Sequence, residues 1–421
     1  MSKAGLIELA ARPRRFKPYP AYKDTGVEWL RKIPAHWEVK RLKYLSRIIM
    51  GQSPPSDIVN TFGEGLPFLQ GNADFGTEHP TARTFCPYPP KVAVPGDILI
   101  SVRAPVGAIN RADRAYGIGR GLCAIRPIIR QLERRYCSYL LQIARSQLDS
   151  IATGSTYDAV SADDVSCFLM LMPLIEEQQI IVSALDRETA KTDALVEKKE
   201  RLIELLQEKR TALITQAVTK GLDPNVPMKD SGVEWLGKIP AHWERSRIKF
   251  LARIASGYAP PDGFDPTSGE YPIYGSNGLI GYCDRFFVTE ITIAVGRVGA
   301  SGSVNFVPPK SWVTDNALLL RQPRPHINLM WLYNLLRTMN LGEQASKNAQ
   351  PIITGTFLGN QLLGLPPEQE QRIIASFLDR ETAKIDALVA KIHEAIDRLK
   401  EYRSALISAV VTGKVDVREL A

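Results

Sequence analysis

Side chains that can read the edges of DNA bases occur near glycines in two stretches of the chain. Arginine and lysine recognise guanine, and asparagine and glutamine recognise adenine, when they stand on loops or at helix ends. The candidate contacts are Gln70, Asn72, Arg103, Arg111, Arg114 and Arg120 in the first stretch, and Tyr274, Ser276, Asn277, Arg285, Arg297 and Lys310 in the second. Any one of them could instead be a surface charge or a phosphate contact. The clustering near glycines is compatible with base reading and leaves open whether any one of these residues reads a base.

The motifs of an enzyme that acts on DNA are missing from the sequence. Asp24, Glu38 and Lys40 could pose as the acidic pair and lysine of a nuclease, but a second copy of this segment has Ser246 in place of the lysine. Five Pro-Pro pairs occur, and none follows Asn or Asp as the catalytic loop of a base methyltransferase requires. The sequence also has no phosphate-binding loop of an ATP motor. We therefore predict no catalytic residue and no cofactor in this chain.

The histidines and cysteines do not form a metal-binding pattern. His36 and His242 stand between alanine and tryptophan in two matching segments, which favours a structural contact over a catalytic base. The other three histidines neither recur nor cluster. The five cysteines are scattered, and their odd number suits a reducing compartment. The sequence thus predicts no metal site and a cytoplasmic location.

The composition describes a soluble, globular and mildly basic protein. Of the 421 residues, 44% are hydrophobic and 23% are charged, and the net charge is +8. This length fits two domains with connectors, and the positive charge favours an anionic partner without requiring one. No apolar run approaches the roughly 18 residues that a membrane-spanning helix needs, so no contact with a membrane is expected.

Two kinds of segment occur twice and divide the chain. Residues 24–38 return at 230–244 and residues 186–196 return at 379–389, while the stretches between them barely match. Four blocks are predicted: a globular region at 1–173, a helix at 174–221, a second globular region at 222–366 and a second helix at 367–421. We call the repeated segments the frame. A constant frame that encloses two different sequences is what a protein with two separate recognition sites needs.

Each globular region is predicted to be of the α+β class. Residues 98–102 and 291–295 are short apolar runs rich in β-branched residues, which indicates strands. Residues 136–148 and 329–339 have helical patterns. The order of the strands within each region stays open.

The two long helices carry apolar residues at spacings of three and four, which predicts a coiled coil. The residues predicted to pair are Leu185, Leu195, Leu202, Leu206 and Leu213 in the first helix, and Leu378, Ile385, Leu388, Ile392, Leu399 and Leu406 in the second. Lys199 and Lys209 interrupt the first stripe. A pseudo-two-fold pairing of the two would be antiparallel, with a rod of about 60 Å for 40 residues. The chain termini together could then mimic the linker near Gly221.

In these repeated segments, the chain resembles the specificity subunit of type I restriction–modification enzymes. The segments at 26–38 and 232–244 are typical of that family, as are Pro173 and Pro366, each followed by a Glu/Gln-rich helix start. The resemblance covers essentially the whole chain. It implies that 1–173 and 222–366 are target recognition domains and that the helices are spacers. The segments at 155–157 and 349–351 resemble a family loop only loosely.

The resemblance also implies a function and a set of partners. Each domain would read one half of a split sequence in double-stranded DNA, and the helices would set the gap between the halves. Two modification subunits would dock on the helices and the adjoining faces and methylate adenine with S-adenosylmethionine, and restriction subunits that use ATP with Mg²⁺ could join. The function predicted is thus that of a non-catalytic DNA specificity subunit. Two alternatives stay open: a stand-alone nuclease or methyltransferase with two readers, and a coiled-coil protein scaffold.

Overall fold

A computed structural model describes residues 17–26, 31–143, 160–262, 264–344 and 352–420. The chain forms two compact units, one made of Met1–Lys199 with Glu394–Ala421 and the other of Glu200–His393. Each unit combines strands and short helices with parts of two long helices, so the predicted α+β class is confirmed. The segments 155–157 and 349–351 lie outside the described residues, and the block boundaries at 173, 221 and 366 stay predictions.

Seven α-helices occur in the described residues, and two of them are far longer than the rest. The helices are α1 Arg134–Ile143, α2 Ala162–Cys167, α3 Ile175–Lys220, α4 Leu329–Thr338, α5 Leu341–Gln344, α6 Gly355–Asn360 and α7 Glu368–Val411. The long helices α3 and α7 begin just after Pro173 and Pro366 and end just before glycines at 221 and 413, as predicted. Both glycines have positive φ (78° and 70°), the conformation that commonly terminates a helix.

The strands of the first unit and those of the second occur in nearly the same order along the chain. Those of the first unit are β1 Tyr22–Asp24, β2 Lys32–Pro34, β3 Glu38–Arg41, β4 Ser46–Met50, β5 Leu66–Leu69, β6 Thr84–Cys86, β7 Val92–Ala93, β8 Ile98–Ser101, β9 Ile109–Arg111, β10 Tyr116–Ile118, β11 Leu122–Pro127 and β12 Leu169–Met172. Those of the second are β13 Met228–Asp230, β14 Lys238–Pro240, β15 Glu244–Arg247, β16 Arg253–Ser256, β17 Tyr271–Gly275, β18 Gly278–Cys283, β19 Thr292–Gly296, β20 Val304–Val307, β21 Trp312–Val313, β22 Ala317–Arg321 and β23 Leu362–Leu365.

The sheet topology repeats even where the sequence does not. In the first unit a sheet of order β4-β11-β8-β9 accompanies a sheet of order β6-β5-β10-β7. In the second unit the corresponding orders are β16-β22-β19-β20 and β18-β17-β21. The pairs β5–β10 and β17–β21 are parallel, whereas the other pairs in these sheets are antiparallel. Two dissimilar sequences therefore fold into closely similar sheets, which differ by one edge strand, β7, as well as in their side chains.

Alternation along the central strand β8 explains how the first unit forms its core. Successive side chains of a strand point to opposite faces. Ile98 and Ile100 join the large buried cluster that contains Tyr136 of α1, whereas Leu99 joins a second buried cluster with Ala124 of β11. A strand that is buried on both faces needs a continuous apolar run, which is why residues 98–102 could be identified as a strand from the sequence.

A glutamate at the start of each long helix anchors the repeated opening segment. Glu177 of α3 accepts a hydrogen bond from the Tyr19 hydroxyl at 2.8 Å, and its other oxygen lies 2.8 Å from His36 Nε2. Burial and this hydrogen bond raise the pKa of Tyr19 far above its ordinary value. In the second unit Glu370 of α7 lies 2.8 Å from His242 Nε2. The prediction that both histidines make structural contacts is confirmed.

The glutamine that follows each of these glutamates fixes the turn from strand to helix. Gln178 Nε2 donates to the carbonyl oxygen of Pro173 at 3.0 Å, and Gln371 Nε2 donates to that of Pro366 at 2.9 Å. Both glutamines are fully buried, so these bonds satisfy polar groups that would otherwise be costly to bury. The proline and Glu/Gln motif thus fixes the point at which the last strand of each globular region passes into its long helix.

The long helices each carry a buried or half-buried stripe with alternating spacings of four and three. In α3 the stripe is Leu185, Thr189, Thr192, Val196, Lys199, Ile203, Leu206, Arg210, Leu213 and Ala217. In α7 it is Leu378, Thr382, Ile385, Val389, Ile392, Ile396, Leu399, Arg403, Leu406 and Val410. Adding 193 to each residue number of the α3 stripe gives the α7 stripe, so the two helices share one heptad register.

Three residues predicted to pair lie off these stripes. Leu195 is 49% exposed, Leu202 is 43% exposed and Leu388 is 45% exposed. Each directly precedes a stripe residue, at 196, 203 and 389. The prediction was wrong here because it followed leucines, whereas the stripe of α3 contains two threonines, a lysine and an arginine. The other eight predicted residues are buried or half-buried.

The helices pair in opposite directions within each unit. In the first unit Leu185 of α3 shares a buried cluster with Leu406 of α7, and Arg403 Nε lies 2.9 Å from Asp193 Oδ1. In the second unit Ile214 of α3 shares a cluster with Leu378 of α7, and there Arg210 Nε lies 3.2 Å from Asp386 Oδ1. In each unit, contacts at higher residue numbers in α3 are made with lower residue numbers in α7. The helices therefore run antiparallel, and the predicted antiparallel pairing is confirmed inside both units.

Lys17, the first described residue, meets Asp416 and Glu419 in the first unit, which fits the predicted closeness of the two chain ends. The Asp416 amide donates to the carbonyl oxygen of Lys17 at 2.8 Å, and Lys17 Nζ lies 2.7 Å from a carboxylate oxygen of Glu419. A Cβ atom on Gly413 would meet Pro34 and, at 3.2 Å, the Trp37 ring. Gly221 stands in the same relation to Pro240 and Trp243 in the second unit. The internal linker and the two termini are therefore structural equivalents.

Candidate nucleic-acid interface

Four loops of the first unit meet at one edge of its sheets. The Gln52 amide, just after β4, donates to the carbonyl oxygen of Ile118 at 2.9 Å, and the Gly119 amide donates to that of Leu69 at 2.8 Å. The Val102 amide, just after β8, donates to Gly121 at 3.0 Å. The loops that follow β4, β5, β8 and β10 therefore lie side by side, and we call this set of loops the loop edge.

Glycines allow the backbones of the loop edge to approach so closely. A Cβ atom on Gly51 would overlap the carbonyl oxygen of Gly119, and one on Gly121 would lie 2.6 Å from that of Gln70. No other residue fits in such a space without moving a neighbouring backbone. Gly119 and Gly121, for which the sequence alone indicated no role, bring Gln70 next to the loop that carries Arg120.

Four of the predicted contacts belong to this edge. Gln70, Arg103 and Arg120 are exposed on three different loops, and Asn72 is half-buried at the start of a short 3₁₀ segment, Asn72–Asp74. Gln52 is exposed on the fourth loop and was missed. The edge thus presents two guanidinium groups and three side-chain amides, the groups that recognise base edges and phosphates.

The second unit builds the same loop edge with different side chains. The Tyr258 amide, after β16, donates to Val313 at 3.0 Å, and the Thr314 amide, after β21, donates to Tyr274 at 2.9 Å. The Arg297 amide, after β19, donates to the Asn316 carbonyl at 2.8 Å. These bonds repeat those of the first unit strand for strand, so the loops after β16, β17, β19 and β21 also converge.

Ser276, Asn277 and Arg297 are the predicted contacts that this second edge brings together. A Cβ atom on Gly296 would lie 2.5 Å from the Ser276 carbonyl oxygen, which places the two loops against each other. Asn277 is exposed, and its Oδ1 accepts a hydrogen bond from the Ser303 hydroxyl at 3.3 Å. Among the described residues, the buried Nε of Arg297 has no hydrogen-bond partner. Tyr274 lies half-buried in β17 and supplies a backbone contact to the edge.

The other two predicted arginines of the first unit lie at the opposite end of the sheet. Arg111 pairs in register with Ile98 at the start of β8, while the loop edge follows the end of that strand. Its guanidinium lies 3.1 Å from Glu78. Arg114 lies 3.6 Å from Asp113, whose pKa is lowered by a hydrogen bond from Tyr116. Acidic neighbours thus engage both guanidinium groups.

Arg285 and Lys310 of the second unit also lie away from its loop edge. Arg285 follows the end of β18, whose last residue Cys283 pairs with Tyr271 at the start of β17. Lys310 precedes β21, which runs parallel to β17, and its amide donates to Val288. Both residues therefore stand at the end of the sheet from which the edge-forming strands start. Their role as DNA contacts stays a prediction.

The sequence did contain a signal for the two contacts that were missed. Gly51-Gln52 and Gly257-Tyr258 are separated by 206 residues, the offset of the repeated opening segments. The Tyr258 side chain is 55% exposed, with its ring centroid 4.9 Å from that of Phe287. An exposed aromatic ring on a loop suits stacking or contact with a thymine methyl group. A search for glycines at the repeat offset finds both residues.

The part of the chain that the structure describes has no candidate metal site at either loop edge. Within that part, no group of three or more His, Cys, Asp or Glu side chains is placed to hold a metal ion. In the same part of the chain, no helix has the length and apolar character to cross a bilayer. What the two edges share is exposed hydrogen-bonding side chains on a rigid backbone.

Comparison with known proteins agrees with this arrangement. A family model described as type I restriction modification DNA specificity domain matches residues 34–205 and 240–398, most of the chain. A putative type I restriction enzyme MjaX specificity subunit of Methanocaldococcus jannaschii is 36% identical over 191 residues, which cover 45% of this chain and 44% of that relative. The MjaIX specificity subunit of the same organism is 22% identical over 96% of this chain and 99% of its own. The EcoBI specificity subunit of Escherichia coli is 41% identical over 44% of this chain and 42% of its own.

Solved structures match the fold over nearly the whole chain. One chain from a structure of a type I R-M system has a TM-score of 0.65 and 21% identity, covering 90% of this chain and 98% of that one. The HsdS subunit from Thermoanaerobacter tengcongensis has a TM-score of 0.51 and 22% identity, covering 93% and 99%. At these identities the likeness concerns the fold alone. The MjaX match, by contrast, spans less than half of that relative's length.

Proposed function

The chain belongs to the type I restriction modification DNA specificity family, and from this premise we propose that it is the DNA-recognition subunit of such a system. Each unit reads one half of a split target in double-stranded DNA through its loop edge. The long helices set the number of base pairs between the halves. The chain itself carries out no catalysis and holds no cofactor.

The observation that carries this proposal is one backbone with two sets of side chains. Both loop edges are held by equivalent backbone hydrogen bonds, for example Val102 to Gly121 and Arg297 to Asn316. The first edge presents mainly arginine and glutamine, whereas the second presents serine, asparagine, arginine and an exposed tyrosine. A shared scaffold with different hydrogen-bonding groups suits two different short DNA sequences. A protein scaffold would have no need for this difference.

The reaction in which the subunit takes part is supplied by its partners. Two modification subunits dock on the chain, bind S-adenosylmethionine and methylate adenine, and restriction subunits that use ATP with Mg²⁺ join where the system has them. These assignments rest on the family membership and on the two-fold repetition of the frame. Turnover of DNA by the purified chain with Mg²⁺ or S-adenosylmethionine would contradict them.

Point variants of the loop edges test the proposal. We expect Arg103→Ala to weaken binding by the assembled complex by roughly 5- to 150-fold, about 1–3 kcal/mol, and to relax the sequence requirement in one half-site. Arg297→Ala does the same for the other half-site. The variants Arg114→Ala and Arg285→Ala serve as controls and at the same time test the contacts predicted at the far ends of the sheets: if only the loop edges read bases, both half-sites stay unchanged. Binding is measured against DNA libraries randomised in one half-site at a time.

The pattern of effects decides the outcome. If an edge variant weakens binding to all DNA sequences equally, the substituted side chain contacted a phosphate. Neighbouring side chains of the loop edge then read the bases. An edge variant that acts on both half-sites, or controls that act as strongly as the edge variants, would contradict the assignment. Binding that does not weaken as salt rises would contradict DNA as the ligand.

A further inference from the structure

A seven-residue segment at the border of the repeated frame is kept in both units. Residues 41–47 read RLKYLSR and residues 247–253 read RIKFLAR, at the same offset of 206 as the opening motif. Just before them, Val39 and Lys40 have become Arg245 and Ser246. The two copies have therefore diverged on one side of this segment, whereas on the other side the match continues through Ile48, Gly51, Pro54 and Pro55, which return as Ile254, Gly257, Pro260 and Pro261. We call the two copies the basic–aromatic segments.

The residues kept in these segments include exposed ones. The inward positions Leu42, Leu45, Ile248 and Leu251 are buried, which is a sufficient reason for keeping them apolar. The outward positions carry Arg41, Lys43, Tyr44 and Arg47 in the first unit and Arg247, Lys249, Phe250 and Arg253 in the second, all of them exposed. Tyr44 is 63% exposed and Phe250 is 53% exposed. An aromatic ring that packs so little contributes little to folding.

Local bonding accounts for only part of the shared charges. In the second unit Lys249 Nζ lies 2.9 Å from Asn360 Oδ1 and Arg247 lies 3.3 Å from the same atom. Cys167 stands at the equivalent position of the first unit, 193 residues earlier, and a thiol has no carbonyl oxygen to receive these bonds. Both units share a contact of the lysine with the following ring, at 5.1 Å from Lys43 to Tyr44 and 5.4 Å from Lys249 to Phe250. That contact does not involve Arg41, which the first unit keeps without the asparagine, so the arginine calls for a reason outside the unit.

The last arginine of each segment lies opposite another arginine. Arg47 of β4 pairs in register with Arg126 of β11, and Arg253 of β16 pairs with Arg321 of β22. Like charges directly across an antiparallel pair are unfavourable for the sheet. The second arginine of each pair is engaged locally, Arg126 by Asp97 at 2.8 Å and Arg321 by the Phe287 ring at 5.3 Å. The exposed charges that recur at this place are therefore those of Arg47 and Arg253, which fit binding of an anionic surface.

The segments lie away from the loop edges. In the first unit Arg47 is near the start of β4, and Gln52 of the loop edge follows the end of that strand. At about 3.3 Å per residue the two are separated by roughly 16 Å along the strand. Arg253 and Tyr258 have the same relation along β16. A surface at the other end of the strand can be occupied while the loop edge contacts DNA.

We propose that the two basic–aromatic segments are docking sites for two copies of one protein partner with an acidic surface, one copy on each unit. Arginine and exposed aromatic residues are enriched in protein interfaces, and complementary charge guides association. Two equivalent sites on one chain fit a partner that is present twice. The inference rests on the proposed function, in which the modification subunit is such a partner.

The test uses the stoichiometry of the complex. The full chain is mixed with the purified modification subunit of the same system, and the assemblies are counted by native mass spectrometry and sedimentation velocity. The unaltered chain binds two copies. The variant Lys43→Glu with Tyr44→Ala, and the variant Lys249→Glu with Phe250→Ala, each bind one copy tightly and the second at least roughly tenfold more weakly. The combined variant loses both copies at the same concentration.

Matched controls separate this effect from loss of folding. Tyr88→Ala removes a ring that is 83% exposed in the first unit, and Phe62→Ala removes one that is 79% exposed, both outside the repeated frame. These controls keep two partner copies. Circular dichroism and thermal melting of each charge-reversal variant should match the unaltered chain, since the altered side chains are exposed.

The possible outcomes decide between this inference and the proposed function. Two partner copies on the combined variant overturn the inference, while sequence-selective DNA binding by that complex leaves the proposed function standing. Unchanged stoichiometry with weaker binding to all DNA sequences also overturns it and assigns the segments to the DNA backbone. Failure of the unaltered chain to bind the modification subunit overturns both.

Discussion

A matched insertion of one heptad into both long helices should lengthen the gap between the two DNA half-sites. Lys199 of α3 and Ile392 of α7 occupy the same position of the shared register, 193 residues apart. A copy of the preceding seven residues is inserted after each. Because a heptad is a whole repeat, every stripe residue keeps its place, and the ion pairs Arg403–Asp193 and Arg210–Asp386 stay inside their own units.

The magnitude follows from helix and DNA geometry. Seven residues add about 10.5 Å to a helix at 1.5 Å per residue. Duplex DNA rises about 3.4 Å per base pair, so the gap should grow by about three base pairs. Three base pairs also turn the duplex by roughly 100°, because one turn takes 10–10.5 pairs. This turn rotates one half-site relative to the other about the duplex axis, so binding should weaken while the half-site sequences stay the same.

The assay is mapping of methylated adenines in the genome of cells that express the altered chain with its modification subunit. Insertion into α3 alone is the control, because it puts the two helices out of step and should abolish assembly. The same gap with the matched insertion would refute the reasoning that the helices determine it. A change in the half-site sequences would refute the independence of the readers from the helices.

Three further predictions follow from the packing of the frame. Trp37→Ala, at a fully buried ring, should lower the free energy of unfolding by about 3–5 kcal/mol in denaturant titrations; a loss below about 1 kcal/mol would contradict its place in the core. A double-mutant cycle of Asp193→Ala with Arg403→Ala should give a coupling below about 1 kcal/mol that falls as salt rises, because both side chains are partly exposed; a salt-independent coupling would contradict this. A circular permutant that opens the chain between 222 and 227 and joins the original ends should fold and methylate the same sites, because Lys17 and Asp416 already meet; loss of folding by circular dichroism would contradict the equivalence of linker and termini.

The frame could be predicted from the sequence because it occurs twice. Both long helices, their boundaries at prolines and glycines, and the meeting of the chain ends follow from comparing one copy with the other. The helix stripe was predicted only in part. Polar residues such as Thr189, Lys199 and Arg210 occupy it, and their burial depends on the partner helix, which a search for leucines in one helix does not detect.

The loop edges were harder to predict because they are assembled from distant parts of the chain. Gln70 and Arg120 are 50 residues apart and become neighbours only through the parallel pairing of β5 with β10. Strand order is set by such long-range pairing, which no local pattern reveals. Arg111 ends β9 and Arg285 follows β18, and both strands run antiparallel to the edge-forming strand beside them, so both residues lie at the far end of the sheet.

Exchange of residues 51–172 for the corresponding region of another member of the family, followed by mapping of methylated adenines, tests the central claim most directly. The first unit would then carry a foreign loop edge on its own frame, and the second unit would be unaltered. The account predicts that one half of the methylated sequence changes while the other half and the gap between them stay the same. A change in both halves, or in neither, would contradict it.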